Sequence, residues 1–237
     1  MTERPRLAEQ VAALIEHDII VSGWQVGQIL GSEPDLIERF QVSRAVFREA
    51  ARIVEHHNVA TMRRGPGGGL VVTAPDERAV LRPLSLYFQY GRVSPEESFA
   101  VRTVLELEAT AAATRHLDVD GITRLREILA QEEELGPDHI LLKGSHLLHV
   151  EIAKLAKNQV LALFVEVLGI LDVEMMHEAD PYPLPVADAA AASHKAHAAI
   201  VEAVISGDVA LAQHRMRTHL NAIARIRAIA AAQSARP

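Results

Sequence analysis

Two sets of side chains in this sequence have the type and spacing to do chemistry. The first is Arg44, Arg48 and Arg52, which recur at every fourth residue of the stretch Gln41 to Arg52. On a helix they share one side, where like charges repel one another weakly. A polyanion lying alongside would offset that repulsion, and a solvated face would merely tolerate it. The second set is histidine. Of 12 in the chain, seven fall between His146 and His219, and histidine is both a common metal ligand and the side chain that titrates near neutrality. Helical periodicity turns one of them inward on each of three segments. His149 shares a side with Leu148, Ile152 and Leu155; His197 with Ile200, Val201 and Val204; His219 with Ala212, Met216 and Ile223. The same reading leaves His146 and His214 on wet faces and does not decide His194. Arg102 joins Leu105 and Ala109 on an apolar side, and a buried arginine needs an anion. Glu106 at i+4 would serve, and so would a ligand.

The elements that must hold these residues follow from caps and breakers. Leu7, Val11, Leu14, Ile15 and Ile19 predict a helix over 6–22, closed by Ser22-Gly23. Ser32 caps a short helix from Glu33 to Phe40, with Pro34 in its first turn and Asp35 where a capping box puts an acid. Gln41-Val42 makes the turn, and Ser43 caps the arginine helix, whose other side carries Val46, Phe47, Ala50, Ala51 and Val54. Two short helices joined so closely form a helix-turn-helix. Val59–Arg64 and Leu70–Thr73 alternate like strands around Gly65-Pro66-Gly67-Gly68-Gly69, which predicts a glycine-tipped hairpin. Beyond it every segment reads as helix: 78–90, 95–116, 118–135, 139–157, 159–178, 188–205 and 208–231. Three prolines between Asp180 and Pro185 make a stiff connector. The expected fold is therefore mostly α, with an N-terminal winged helix-turn-helix carrying a small β-hairpin and a C-terminal all-α bundle. The domains are expected at 1–74 and 79–232, with a linker at 75–78 and a frayed tail at 233–237.

Composition bounds the rest. The chain has 237 residues, 49% hydrophobic but only 4% aromatic, which suits packed helices. It lacks cysteine, so disulfides and thiolate chemistry are excluded. No apolar run reaches the roughly 18 residues of a membrane span, and the N-terminus lacks a secretion signal, so a cytoplasmic location without membrane partners is expected. The net charge of −7 is unlike that of a protein that coats nucleic acid. Residues 1–74 carry eight arginines against nine acidic residues. Any contact with DNA must therefore be local.

The order of parts, and the residues Ser32-Glu33 with Leu36, Val42-Ser43-Arg44-Ala45-Val46-Phe47-Arg48-Glu49-Ala50 and Arg64-Gly65-Pro66-Gly67-Gly68-Gly69, resemble the GntR superfamily of bacterial transcription regulators. Arg102 with Glu106, His197-Ala198-Ala199-Ile200 leading to Gly207-Asp208, and Met216-Arg217-Thr218-His219-Leu220 resemble its FadR-type effector domain, called FCD. The resemblance implies a homodimeric, non-enzymatic regulator, most often a repressor, on a palindromic double-stranded DNA operator. Arg44 and Arg48 would reach base edges, with Ser43 at a phosphate, Ala45 offering only a methyl group, and Arg64-Gly65 of the wing in the minor groove. It also implies that a small carboxylate effector binds among Arg102, His149, His197 and His219, and that the three histidines hold a divalent metal such as zinc or nickel. The chain departs from the family at Ser145, which stands where an acidic ligand is usual. Two alternatives stay open: an acyl-thioester effector without metal, and a metal-dependent hydrolase built on the histidines, although no His-Glu-x-x-His or nucleophile elbow is present.

Overall fold

The structure is a computed structural model that describes residues 6–139, 145–177 and 186–234. The chain divides into two compact units, Met1–Pro83 and Leu84–Pro237.

In the first unit, α1 (Leu7–Val21) buries Val11, Ala12, Ile15 and Ile19. A short strand β1 (Ile29–Gly31) follows, then α2 (Glu33–Phe40) and α3 (Arg44–His56). Ser32 and Asp35 cap α2 reciprocally: the Ser32 amide donates to Asp35 Oδ2 at 3.2 Å, and the Asp35 amide to the Ser32 hydroxyl at 3.4 Å. These bonds with Ser32 hold the Asp35 carboxyl below its usual pKa. Gln41 turns left-handed, at φ 54°, and delivers the chain to Ser43, whose hydroxyl accepts from the Val46 amide at 3.3 Å. Strands β2 (Ala60–Arg63) and β3 (Gly69–Val72) pair antiparallel as the expected hairpin. The three-residue β1, which the sequence did not announce, adds to the other edge of β3, giving the order β1-β3-β2. Its approach requires Gly69: a Cβ there would lie 2.3 Å from the Gly31 carbonyl oxygen, closer than any real side chain. Phe47, Ala50, Ala51 and Val54 of α3 close this core against α1 and the sheet.

The chain continues as α4 (Arg78–Gly91), which crosses the division between the units and carries Pro83 inside it. The second unit then packs α5 (Pro95–His116) against α7 (Ser145–Leu155), α8 (Gln159–His177) and α10 (Val209–Ser234). On its other flank α6 (Val119–His139) and α9 (Val186–Ile205) lie together, with α6 also touching α7 and α9 touching α10. Small residues let these helices approach: Ala109, Ala111, Ala113, Ala153, Ala203 and Ala212 are all buried. Ser94 caps α5 with Pro95 in the first turn, as expected. Helix α6 extends past Leu135 to His139. The proline connector at 180–185 and the last residues, 235–237, lie outside the described residues. No helix among the described residues is long and apolar enough to cross a membrane.

Candidate nucleic-acid interface and histidine centre

Helix α3 presents Arg44, Arg48 and Arg52 to solvent while Phe47 and Val54 are fully buried on its opposite side. Ser43, Ala45, Arg64 and Gly65 are exposed too, so nothing within the unit covers any of the expected contact residues. The arginines are nonetheless engaged. Glu33, in the first turn of α2, places Oε1 2.9 Å from Arg48 Nε and 3.5 Å from Arg44 Nε. Its side chain is only 24% exposed, against 61% and 68% for Arg48 and Arg44. One carboxylate thus holds two guanidinium groups side by side. Arg52, a turn further on, pairs with Glu49 at 3.3 Å.

In the second unit, α7, α9 and α10 bring His149, His197 and His219 together inside the bundle, all buried. Nε2 of His219 lies 3.2 Å from Nε2 of both His149 and His197. Two carboxylates stand behind the rings. Glu106 of α5 bonds Nδ1 of His149, and Glu132 of α6 lies 2.7 and 2.9 Å from Nδ1 of His197. A carboxylate only accepts, so each of these Nδ1 atoms carries a proton; in the neutral ring each Nε2 then keeps a lone pair. A single proton on His219 Nε2 can serve those lone pairs one at a time; a cation at the point where the three nitrogens converge serves all of them together. The donor set fits a borderline-soft divalent ion with an open coordination position. Burial, helped by the neighbouring His149 and His197, pushes the His219 pKa down to about 2, and burial also lowers that of His197. Both rings stay neutral, the form a metal requires.

Arg102 is buried as expected, and two anions already hold it. Its Nε donates to Glu106 at 2.5 Å and its Nη1 to Asp172 of α8 at 3.0 Å. Asp172 also meets Arg227 of α10 at 3.3 Å. Glu106 is fully enclosed; burial alone would raise its pKa, but Arg102 and His149 outweigh that and hold it well below the carboxylate range.

Residues 97–222 match the FCD domain, and residues 7–70 match the bacterial regulatory proteins of the gntR family. The chain belongs to the GntR family and carries an FCD domain. The gntR family is one of bacterial regulatory proteins, which favours regulation over the hydrolase alternative. This GntR chain is 27% identical over 170 residues to the Uxu operon regulator of Haemophilus influenzae, covering 69% of itself and 59% of that protein. It is 28% identical over 167 residues to the Exu regulon transcriptional regulator of Escherichia coli, covering 70% and 63%. Thus it spans about six-tenths of the length of those two relatives. With the HTH-type transcriptional regulator LutR of Bacillus subtilis it shares 26% over 197 residues, 82% of this chain and 89% of the other. The solved structure of Streptococcus agalactiae GntR has the same fold, with a TM-score of 0.71 at 21% identity over 92% of this chain and 99% of that one.

Within the GntR chain, two sequence expectations need correction or completion. His146 is not on a wet face. Its ring is largely enclosed and rests on Gly169 of α8, where a Cβ would strike Cε1 and both ring nitrogens. Burial, with repulsion from Arg102, lowers its pKa to about 4. His194, left undecided by periodicity, sets Nδ1 3.3 Å from Glu132 and Nε2 3.5 Å from Glu133. The side chain of Ser145 lies outside the described residues. The sequence marks Glu33 only as part of a motif and does not announce the roles of Glu132 and Asp172; the partners of all three are on other helices.

Proposed function

We propose that the chain is a homodimeric, effector-controlled repressor that reads a palindromic operator. Arg44 and Arg48 would fork onto base edges in the major groove, guanine O6 and N7 being their best acceptors. Ser43 and the free amides of the first turn of α3 would take a phosphate. Ala45 would add a methyl contact, and Arg64-Gly65 would follow the minor groove. The exposure of this set around one capped helix supports the reading.

The single observation that carries the sensing half is the convergence of three imidazole nitrogens whose opposite ring nitrogens are tied to carboxylates. We take His149, His197 and His219 as ligands of a divalent ion, zinc or nickel, which would supply Lewis acidity toward a carboxylate when bound. A small organic acid is the proposed effector, held between that position and Arg102. Two of the five Arg102 donors serve Glu106 and Asp172, which leaves others for a ligand. An effector with unequal affinity for two arrangements of the DNA-binding units shifts the balance between them. The Uxu, Exu and LutR names belong to the relatives; a sugar acid or hydroxy acid is the class of candidate they suggest for screening.

The test is a gel shift on duplex from upstream of the chain's own gene, with protein before and after chelator treatment and with added organic acids. Retarded bands that respond to both are expected. Absence of binding at every salt concentration overturns the DNA reading. Binding indifferent to chelator and to every acid overturns the sensing half alone.

A further inference from the structure

We infer that Glu132 is a positioning residue of the metal centre: acting through His197, it supplies the negative charge that three neutral imidazoles lack. This rests on the metal reading above and deepens it.

Charge is the argument. Three carboxylates lie buried around the centre, namely Glu106, Asp172 and Glu132. The first two face guanidinium groups: Arg102 bridges Glu106 and Asp172, and Arg227 reaches Asp172 from α10. Glu132 is as deeply enclosed, with its side chain 1% exposed. Yet among the described residues its ion-pair partners are the imidazoles of His194 and His197 alone. The two arginines balance two carboxylates, and among the described residues the third has no arginine or lysine partner. A charge so placed is tolerated only if a counter-charge comes close.

The geometry says where that counter-charge sits. Both Glu132 oxygens bracket Nδ1 of His197, at 2.7 and 2.9 Å, and Nε2 of the same ring lies 3.2 Å from Nε2 of His219. Glu132 is therefore outside the ligand set and in line with it. Accepting the Nδ1 proton fixes the tautomer, aims the lone pair and makes the ring a stronger donor. The residue also enlists α6, a helix that contributes no ligand, in holding the centre. A divalent ion there would be offset by Glu132 from behind the ring, although the candidate ligands, His149, His197 and His219, include no carboxylate.

The experiment uses the full chain, stripped with chelator and then titrated with Zn2+ against a chromophoric chelator and with Co2+ by visible absorption. Glu132→Gln keeps the shape and removes the charge. Glu134→Gln removes the same charge from an exposed neighbour on the same helix. Glu132→Gln is expected to weaken Zn2+ binding about 10- to 100-fold and to alter the Co2+ bands. Glu134→Gln should match the wild type in both. The stripped Glu132→Gln protein should melt no earlier than the stripped wild type. Unchanged Zn2+ affinity together with an earlier melt overturns the inference and makes Glu132 a brace of the fold. If Glu132→Gln fails to fold, Glu132→Met, apolar and similar in length, takes its place under the same criteria. Failure of the wild type itself to bind Zn2+ or Co2+ sinks the metal reading as well, whereas wild-type binding matched by an unchanged affinity in Glu132→Gln sinks only this inference.

Discussion

Glu33 makes a quantitative demand on how the chain meets DNA. Its carboxylate lies 2.9 Å from Arg48 and 3.5 Å from Arg44 in the free protein, so phosphate oxygens must compete with it for both guanidiniums. Pairs this exposed are worth about 0.2–1 kcal/mol each. The Arg48 contact, at hydrogen-bond length, belongs near the upper end and the longer Arg44 contact near the lower, for about 1 kcal/mol together. Glu33→Gln removes that competition and one negative charge from the contact surface. Binding to random duplex should therefore tighten roughly fivefold, since 1.4 kcal/mol is tenfold. The slope of log K against log salt should steepen by about one phosphate equivalent. Operator binding should gain less, because on the proposed base contact the carboxylate would also hold Arg48 in place. The ratio of specific to random affinity therefore falls. Fluorescence anisotropy with a labelled operator and a scrambled duplex, at four salt concentrations, measures all three quantities. An unchanged slope with random-duplex affinity within twofold of wild type would refute the reasoning and reduce Glu33 to a surface residue.

Other expectations follow from the same coordinates. Arg48→Ala should cost about 1–3 kcal/mol on the operator if the side chain reads a base; equal loss on every sequence in the anisotropy assay would assign it to a phosphate instead. Phe47 is fully buried between α3, α1 and the sheet. Phe47→Ala should destabilise by about 3–5 kcal/mol in thermal or urea unfolding, and a smaller loss would mean that the core closes over the gap. His146 links stability to pH. Its pKa falls from 6.5 to about 4 on folding, so the unfolded chain binds the extra proton between those values. Its contribution is complete above about pH 6.5 and is lost progressively as pH falls toward 4, by about 3 kcal/mol in all. Urea unfolding of chelator-treated protein from pH 7 to 4 should show that slope, and His146→Gln should flatten it; equal slopes would remove His146 from the account.

What could be read from the chain was whatever local pattern encodes. Ser43 and the Val46-Phe47-Ala50 stripe define α3 by cap and period, and the Gly65–Gly69 run can only be a turn. The inward sides of His149, His197 and His219 follow from 3.6-residue spacing in the same way. What escaped depends on relief and charge contributed by other segments. His146 falls on the helix side of Lys154 and Lys157, and the notch left by Gly169 on α8 receives its ring. Glu132 sits in the run Gln131-Glu132-Glu133-Glu134, which resembles a solvated acidic face. Its spacing from Leu125, Ile128 and Leu129 continues the buried stripe of α6, so a signal existed and was masked by composition. Strand β1 is three residues long and gains its identity from pairing with β3 rather than from its own alternation. Glu33 was recognised as part of a motif, but nothing sequential ties it to arginines 11 and 15 residues later.

Glu106 has two oxygens, and both are taken: one holds Arg102 and the other holds His149. Any movement of that imidazole is therefore a movement of one end of a rigid link whose other end is a guanidinium braced by Asp172 on α8. Through that brace α7 is tied by charge to α5, α8 and α10. A change of occupant among the imidazoles would therefore reach Arg102 and Asp172, and with them α5 and α8, and not the His149 side chain alone.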